Sequence, residues 1–236
     1  MYIKLYQLNC QRDDKDLVYR SFERVKELTG RDEVPSELYD LLYEGEVPVN
    51  DLEGVFRIFN IDIPLCFPGR GHSVSDVVEV LESDTIKPGC YYCQPIGYCP
   101  VPFDTEKTQN KIPDMMEVVY VKPSCEPSVQ KVGTGLRDMQ RVVEGLVEPF
   151  FLEDDVAILC NEEGKLNGMP ANRPVFDKEG NLLDTIYGPF MVCGYKDGSF
   201  VSLPKDKQRA FVETFRMTPE REHDVFEPEF AGRDAR

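Results

Sequence analysis

The sequence predicts an α+β protein: two small α+β domains joined by a short polar linker, with a mobile acidic C-terminal tail. Three observations carry this. The 236 residues suffice for two ordinary domains of roughly 100–150 residues each. Each half contains its own apolar runs at strand and helix periods. Between them, residues 104–114 (Asp-Thr-Glu-Lys-Thr-Gln-Asn-Lys-Ile-Pro-Asp) show no periodic apolar face. The expected organisation is a first domain over 1–103, a linker over 104–114, a second domain over 115–216 and a tail over 217–236. Glu, Arg, Asp and Pro dominate that tail without a sustained apolar period.

Ile3-Lys-Leu-Tyr-Gln-Leu8 alternates as a strand does, and residues 16–28 place Leu17, Val18, Phe22, Val25 and Leu28 in a helical stripe. Pro35-Ser36 reads as the start of a second helix with Leu38, Tyr39, Leu41 and Leu42 on its buried side. Asn50 is positioned to cap a third helix over 51–59. Pro64 and the loop from Phe67 to His72 lead into Ser73-Val-Ser-Asp-Val-Val-Glu-Val-Leu81, where Ser73 or Ser75 can cap a short helix. Cys90-Tyr-Tyr-Cys93, the turn Gln94-Pro-Ile-Gly97 and Tyr98-Cys-Pro-Val-Pro-Phe103 read as a hairpin whose prolines put its second strand at an edge.

In the second half, Met116-Glu-Val-Val-Tyr-Val121 is a strand. Residues 135–148 carry Leu136, Met139, Val142, Val143, Leu146 and Val147 at helical spacing, and Val156-Ala-Ile-Leu-Cys160 is a buried strand. Asp177-Lys-Glu-Gly-Asn-Leu182 contains a turn, Phe190-Met-Val-Cys-Gly194 is another buried strand, and Asp197-Gly-Ser199 supports a hairpin. Pro204 opens a helix that runs to Phe215.

Charge and cysteine usage narrow the function. The formal charge is −16, with 12 basic and 20 acidic residues up to Pro113 and 15 and 23 after it, so the acidity is distributed. Such a field repels phosphates and no basic cluster offsets it; direct nucleic-acid binding is not expected, and basic protein surfaces are the expected partners. No apolar segment approaches the roughly 20 residues that span a bilayer, and Met1-Tyr-Ile-Lys-Leu-Tyr6 lacks the features of a signal peptide. A cytoplasmic protein with no membrane partner is expected, its eight cysteines present as thiols; Cys66, Cys160 and Cys193 sit within apolar runs.

Two stretches resemble known families. Asp51-Leu-Glu-Gly-Val-Phe-Arg-Ile-Phe-Asn60, Pro64, Gly69-Arg-Gly-His-Ser-Val-Ser-Asp-Val-Val78 and Tyr91-Tyr-Cys-Gln-Pro-Ile-Gly97 look like the YodL-like domain. Residues 118–215, built around Asn161-Glu-Glu-Gly164 and Asn172-Arg173, resemble an uncharacterised domain family found beside it. The resemblance implies a setting in plasmids, conjugative elements and phages of Firmicutes and gut bacteria, sometimes within large proteins thought to shield incoming DNA. It transfers no catalytic residue. Where YodL-like sequences generally carry an acid after the paired aromatic strand, this chain has Gln94, and Cys90, Cys93 and Cys99 are not a hallmark of that family.

The foremost candidate cluster is Asn161, Glu162, Glu163, Lys165, Asn172 and Arg173, placed by the end of the Val156 strand at a turn on a rigid scaffold. Arg173 can hold an anion there and a glutamate can serve as base or metal ligand; the alternative is a hydrogen-bonded structural corner. A second candidate loop holds Arg70, His72, Ser73 and Asp76. His72 is the one imidazole outside the tail, and the competing reading is a polar loop whose serine caps a helix. Cys90-x-x-Cys93 with Cys99, and His72 or Cys66 as a fourth ligand, begins a zinc spacing but lacks a second Cys-x-x-Cys pair, so no metal is assigned. No phosphate-cradling loop is present: Gly133-Thr-Gly135 is too short a match. No cofactor is called for. The expected function is that of a non-enzymatic accessory protein of a mobile genetic element, a counter-defence (anti-restriction or anti-CRISPR type) binder of a host nuclease or its complex. The alternative is a small-molecule or nucleotide-processing enzyme centred on Asn161, Glu162, Glu163, Asn172 and Arg173.

Overall fold

Strand β1 (Tyr2–Leu8) sets the plan of the first unit because both of its faces are apolar. Ile3 and Leu5 enter one core, Tyr6 and Leu8 the other, which requires a sheet covered on both sides. The computed structural model describes residues 1–176 and 182–216. It divides the chain into two units, Met1–Pro113 and Asp114–Arg236.

In the first unit β1 is flanked by β2 (Tyr39–Glu46) and β3 (Val77–Glu82), with β4 (Gly89–Cys93), β5 (Tyr98–Pro100) and β6 (Gln109–Asn110) completing the order β5-β4-β3-β1-β2-β6. Helix α1 (Phe22–Thr29) brings Phe22 and Val25 onto the face that holds Tyr6, Tyr39, Leu41, Val77 and Tyr92. Helix α2 (Leu52–Ile58) brings Val55 and Ile58 onto the opposite face, against Ile3, Leu5, Val78 and Val80.

The hairpin β4–β5 forms as expected, with β5 at the sheet edge. Other expectations for this unit are corrected. The stripe from residue 16 begins only at Phe22: Asp16 and Tyr19 have positive φ, and the Asp13 carboxylate takes the amides of Leu17 and Val18 before Ser21 caps α1. Asp51, not Asn50, caps α2, accepting from the Gly54 amide at 2.6 Å.

Residues 36–42 give a 3-10 turn (Ser36–Leu38) and then β2, not a helix. Register explains the false signal: Leu5 pairs with Tyr43 and Tyr6 with Leu41, so Leu42 is an extra residue and a bulge. Tyr39 and Leu41 face one core, Leu42 and Tyr43 the other, and the resulting apolar run imitates a helical stripe. Residues 73–81 likewise end in β3, whose valines Val77, Val78 and Val80 are buried between β1 and β4; β-branched residues suit such a strand.

The segment 104–114, expected to be a linker, belongs largely to the first unit. It contains a 3-10 turn (Thr105–Lys107) and β6, which runs parallel to β2. The Lys111 amide donates to the Leu41 carbonyl at 2.9 Å, and Ile112 packs on the α1 core.

The second unit holds the antiparallel sheet β8-β7-β13-β10-β9 with β14 on β13, and the separate pair β11–β12. These are β7 (Met115–Val121), β8 (Ser128–Gly133), β9 (Val147–Glu153), β10 (Val156–Asn161), β11 (Ala171–Phe176), β12 (Leu182–Tyr187), β13 (Phe190–Lys196) and β14 (Ser199–Val201). Helix α4 (Lys205–Thr214) starts at Pro204 as expected; its Phe211 and Val212, with Phe215, join Val175 and Ile186 of the small pair over Val119, Ile158 and Val192. Helix α3 is confined to Leu136–Val142. Glu144 at φ 58° breaks it; of the apolar residues expected to prolong it, Val143 caps the helix end, Leu146 lies in the bend and Val147 starts β9. Asp197 and Gly198, at φ 51° and 80°, make the tight β13–β14 turn. The turn expected at 177–182 falls mostly, and the tail at 217–236 wholly, outside the described residues. No described helix is long and apolar enough to cross a membrane.

Burial pushes the Cys193 and Cys93 thiols up to about 12, and those of Cys90 and Cys160 up to about 11. Above the ordinary thiol range the unfolded chain therefore loses protons that the folded chain keeps, and stability falls as pH rises from about 9 towards 12. Urea unfolding across that window should show the decline, with a shallower slope for Cys193→Ala than for the parent.

Candidate functional site

A polar residue in a core-facing strand position must find partners, and Gln7 of β1 finds them in the loop before β3. Its Nε2 donates to the Arg70 carbonyl at 3.0 Å and to Asp76 Oδ2 at 2.9 Å, while its Oε1 accepts from the Arg70 amide at 3.0 Å. Gly69 permits this approach, since a Cβ there would stand 2.6 Å from Gln7 Oε1 and 2.4 Å from the Phe67 ring.

Asp76 is fully buried and receives donors from four residues. Besides Gln7, Arg70 contributes both terminal nitrogens (3.0 Å to Oδ2, 2.5 Å to Oδ1), the Ser73 amide reaches Oδ2 at 2.8 Å, and His72 Nδ1 lies 3.2 Å from Oδ2. Charge-assisted, bidentate pairing is what makes such a burial tolerable. Burial works against the Arg70 charge, but the adjacent Asp76 carboxylate more than offsets it, and the guanidinium stays above its ordinary range. Its outer face stacks over the exposed Tyr19 ring, 5.3 Å from the centroid.

From Asp76 a hydrogen-bonded line runs outward. With Nδ1–H donating to Asp76, His72 Nε2 accepts the Tyr98 hydroxyl at 2.8 Å. The imidazole lies nearly parallel to the Tyr98 ring and is tilted against Phe56 of α2. Desolvation, then the neighbouring Cys93, drives the Tyr98 phenol well above its usual range; it remains a protonated donor, not an incipient nucleophile. Cys93 is buried in β4, its thiol raised by burial and then by the Asp76 charge. Ser75, at φ 80°, accepts the Tyr19 amide on its hydroxyl and the Tyr39 hydroxyl on its carbonyl, so neither Ser73 nor Ser75 caps a helix. The assembly pins the 64–76 loop to β1 and β5 with every charge paired.

The structure thus brings the second candidate set, Arg70, His72, Ser73 and Asp76, onto one carboxylate. It does not do so for the first set. Asn161 is buried, donating to the Val143 and Glu144 carbonyls at 3.1 and 3.0 Å and accepting the Glu163 amide at 2.9 Å. Asn172 is buried, donating to the carbonyls of Val121 at 3.0 Å and Gly188 at 2.7 Å. Arg173 is buried and donates to the carbonyls of Phe215, Cys125 and Asn172, as well as to Asn172 Oδ1. Glu162, Glu163 and Lys165 are exposed, Lys165 lying 5.7 Å from the Tyr187 ring centroid. Gly164 turns the chain where a Cβ would meet the Tyr187 carbonyl at 2.7 Å. Side chains expected to meet a ligand hold main-chain carbonyls together instead.

Cys90 and Cys93 alternate on β4, and Cys99 accepts from Gln94 Nε2 at 2.9 Å. Among the described residues no group of three or more His, Cys, Asp or Glu side chains is placed to hold a metal ion. Gln94 Oε1 accepts the Phe22 amide at 3.3 Å, so this residue ties the hairpin to the start of α1. A carboxylate could accept from Phe22 but could not donate to sulfur. Sequence reasoning missed Gln7 and Tyr98. A glutamine amid the apolar positions of β1 was the available signal for the first; Tyr98 gave none.

The chain is therefore an α+β protein of two units, the first organised about a buried, fully paired carboxylate. Residues 2–103 match the family model of the YodL-like domain, and residues 116–216 match that of a domain of unknown function (DUF3846). No curated protein and no solved structure matches the chain.

Truncating Asp76 to alanine leaves Arg70, Gln7 and His72 without their shared acceptor and should cost about 3–5 kcal/mol in denaturant unfolding. Asn161→Ala should cost about 1–3 kcal/mol, whereas Glu162→Gln and Glu163→Gln should each stay within about 0.5 kcal/mol of the parent.

Proposed function

We propose that this protein is a non-catalytic accessory factor of a mobile genetic element that binds a basic surface on a host nucleic-acid enzyme, a nuclease of the restriction or CRISPR type, and blocks it. The observation that carries this reading is the charge: −16 overall, and −8 on each side of Pro113, with many of the carboxylates on the surface. A field of that size steers association with a basic groove and weakens as salt screens it. The mobile-element setting is what the resemblance to the YodL-like domain implies; the family match itself gives the domain over residues 2–103.

The commitments of the polar side chains favour binding over chemistry. Asn161, Asn172 and Arg173 hold main-chain carbonyls, and Asp76 and His72 are enclosed by their own partners, so the groups from which an enzyme would be built are occupied with architecture.

Purified protein titrated into restriction or CRISPR nuclease assays should lower cleavage at low salt and lose that effect as salt rises. Its expression should raise plasmid or phage survival in a host carrying the same nuclease. Unchanged cleavage by every nuclease tested, together with unchanged survival, would remove this reading.

A further inference from the structure

We propose that the face of the second unit formed by Phe151, Tyr195 and Phe200 is a docking surface for an arginine-bearing segment of a basic protein. This rests on the reading of the protein as an acidic binder and specifies where a partner is held.

Three aromatic rings from three strands line up here. The Phe151 and Tyr195 centroids are 5.0 Å apart and those of Tyr195 and Phe200 are 5.6 Å apart, linking β9, β13 and β14. Strand alternation sends Phe150 and Leu152 into the α4 core and turns Phe151 to the other face, where it is 49% exposed. An open groove of about 500 Å³ beside it is lined by Phe151, Leu152, Glu153 and Asp154.

Two hairpin tips supply the charge. The β9–β10 turn carries Asp154 and Asp155 and the β13–β14 turn carries Asp197; the Tyr195 amide donates to the Asp155 carbonyl at 2.8 Å, holding the two tips together. Lys207 pairs with Glu153 at 2.6 Å and Asp155 at 2.7 Å, which leaves Asp154 and Asp197 without an ion pair among the described residues. The exposed Phe151 ring, backed by the half-buried Tyr195 and Phe200 and next to unpaired carboxylates, suits a planar guanidinium, which stacks on an aromatic face while its edge donates to carboxylate oxygens. Lysine, a compact and strongly hydrated charge, gains less from the rings.

Edge pairing is a poorer description of this surface. β9 lies at the sheet edge, but Pro149 removes a donor, the register shifts opposite Val156, and Glu148 and Glu153 are exposed, all of which discourage a further strand. The side chains, not the backbone, are what the face offers.

The test is to titrate the isotope-labelled full chain with a short arginine-rich peptide and with its lysine counterpart, following backbone amide shifts. Shifts should centre on Phe151, Asp154, Tyr195 and Phe200, with the arginine peptide bound more tightly. Phe151→Leu, which keeps apolar bulk and loses the ring, should weaken arginine-peptide binding about fivefold to tenfold. Asp154→Asn should weaken it about twofold. If both variants bind like the parent, the peptide is held by net charge alone and the assignment falls. Self-association of the free protein that disappears in Phe151→Leu would overturn it differently, by giving the face to a second copy. Nuclease inhibition that survives Phe151→Leu would remove this surface while leaving the proposed function standing. Loss of inhibition everywhere, with peptide binding intact, would do the reverse.

Discussion

The first unit depends on neutralising one carboxylate in the absence of water. Asp76 lies just before β3, at the end of the loop beside the central strand β1, and an isolated charge there would cost far more than the domain's net stability. Arg70, Gln7, His72 and the Ser73 amide meet that demand together, and in doing so they fix the path of the 64–76 loop. The loop in turn places Phe67 against Phe59 and His72 against Phe56, so α2 has a defined seat on the sheet. One buried charge thereby organises a segment that has no regular structure of its own.

The second unit solves a similar problem with neutral and cationic donors. Asn161 closes the end of α3 and the start of β9, and Asn172 with Arg173 ties β11 to β7, to the Gly188 turn and to the end of α4. Each donor answers a carbonyl that the irregular chain path would otherwise leave unpaired in the interior. Sequence reading singled out the same residues because buried polar groups at strand ends look alike whether they serve a ligand or the backbone.

Short continuous apolar runs of strand length, such as β10, and signals borne by turn residues, such as Asp197-Gly198 and Pro204, were legible from the sequence, as was the hairpin around Gln94–Gly97. β2 and β3 were not: each follows a Pro or Ser that imitates a helix start, their apolar residues run on without alternation, and the bulge at Leu42 adds a helical accent. The Asp76 site was half legible. Arg70, His72, Ser73 and Asp76 share a loop and could be grouped, but Gln7 and Tyr98 arrive from distant strands, and only tertiary pairing reveals that the group is closed upon itself.

The short strand β6 places the frontier of the first unit beyond the frontier of its family likeness. Similarity to the YodL-like domain ends at residue 103, whereas the fold runs on to Pro113. In between, Gln109 and Asn110 cover the open side of β2, and Ile112 fills a place beside α1. A fragment trimmed to the homologous region would leave β2 as a bare edge, with the Leu41 carbonyl and its neighbours ready to pair with another chain. The few polar residues that join the two units thus act as a selvedge, the finished border that keeps the sheet from being extended by whatever strand it meets.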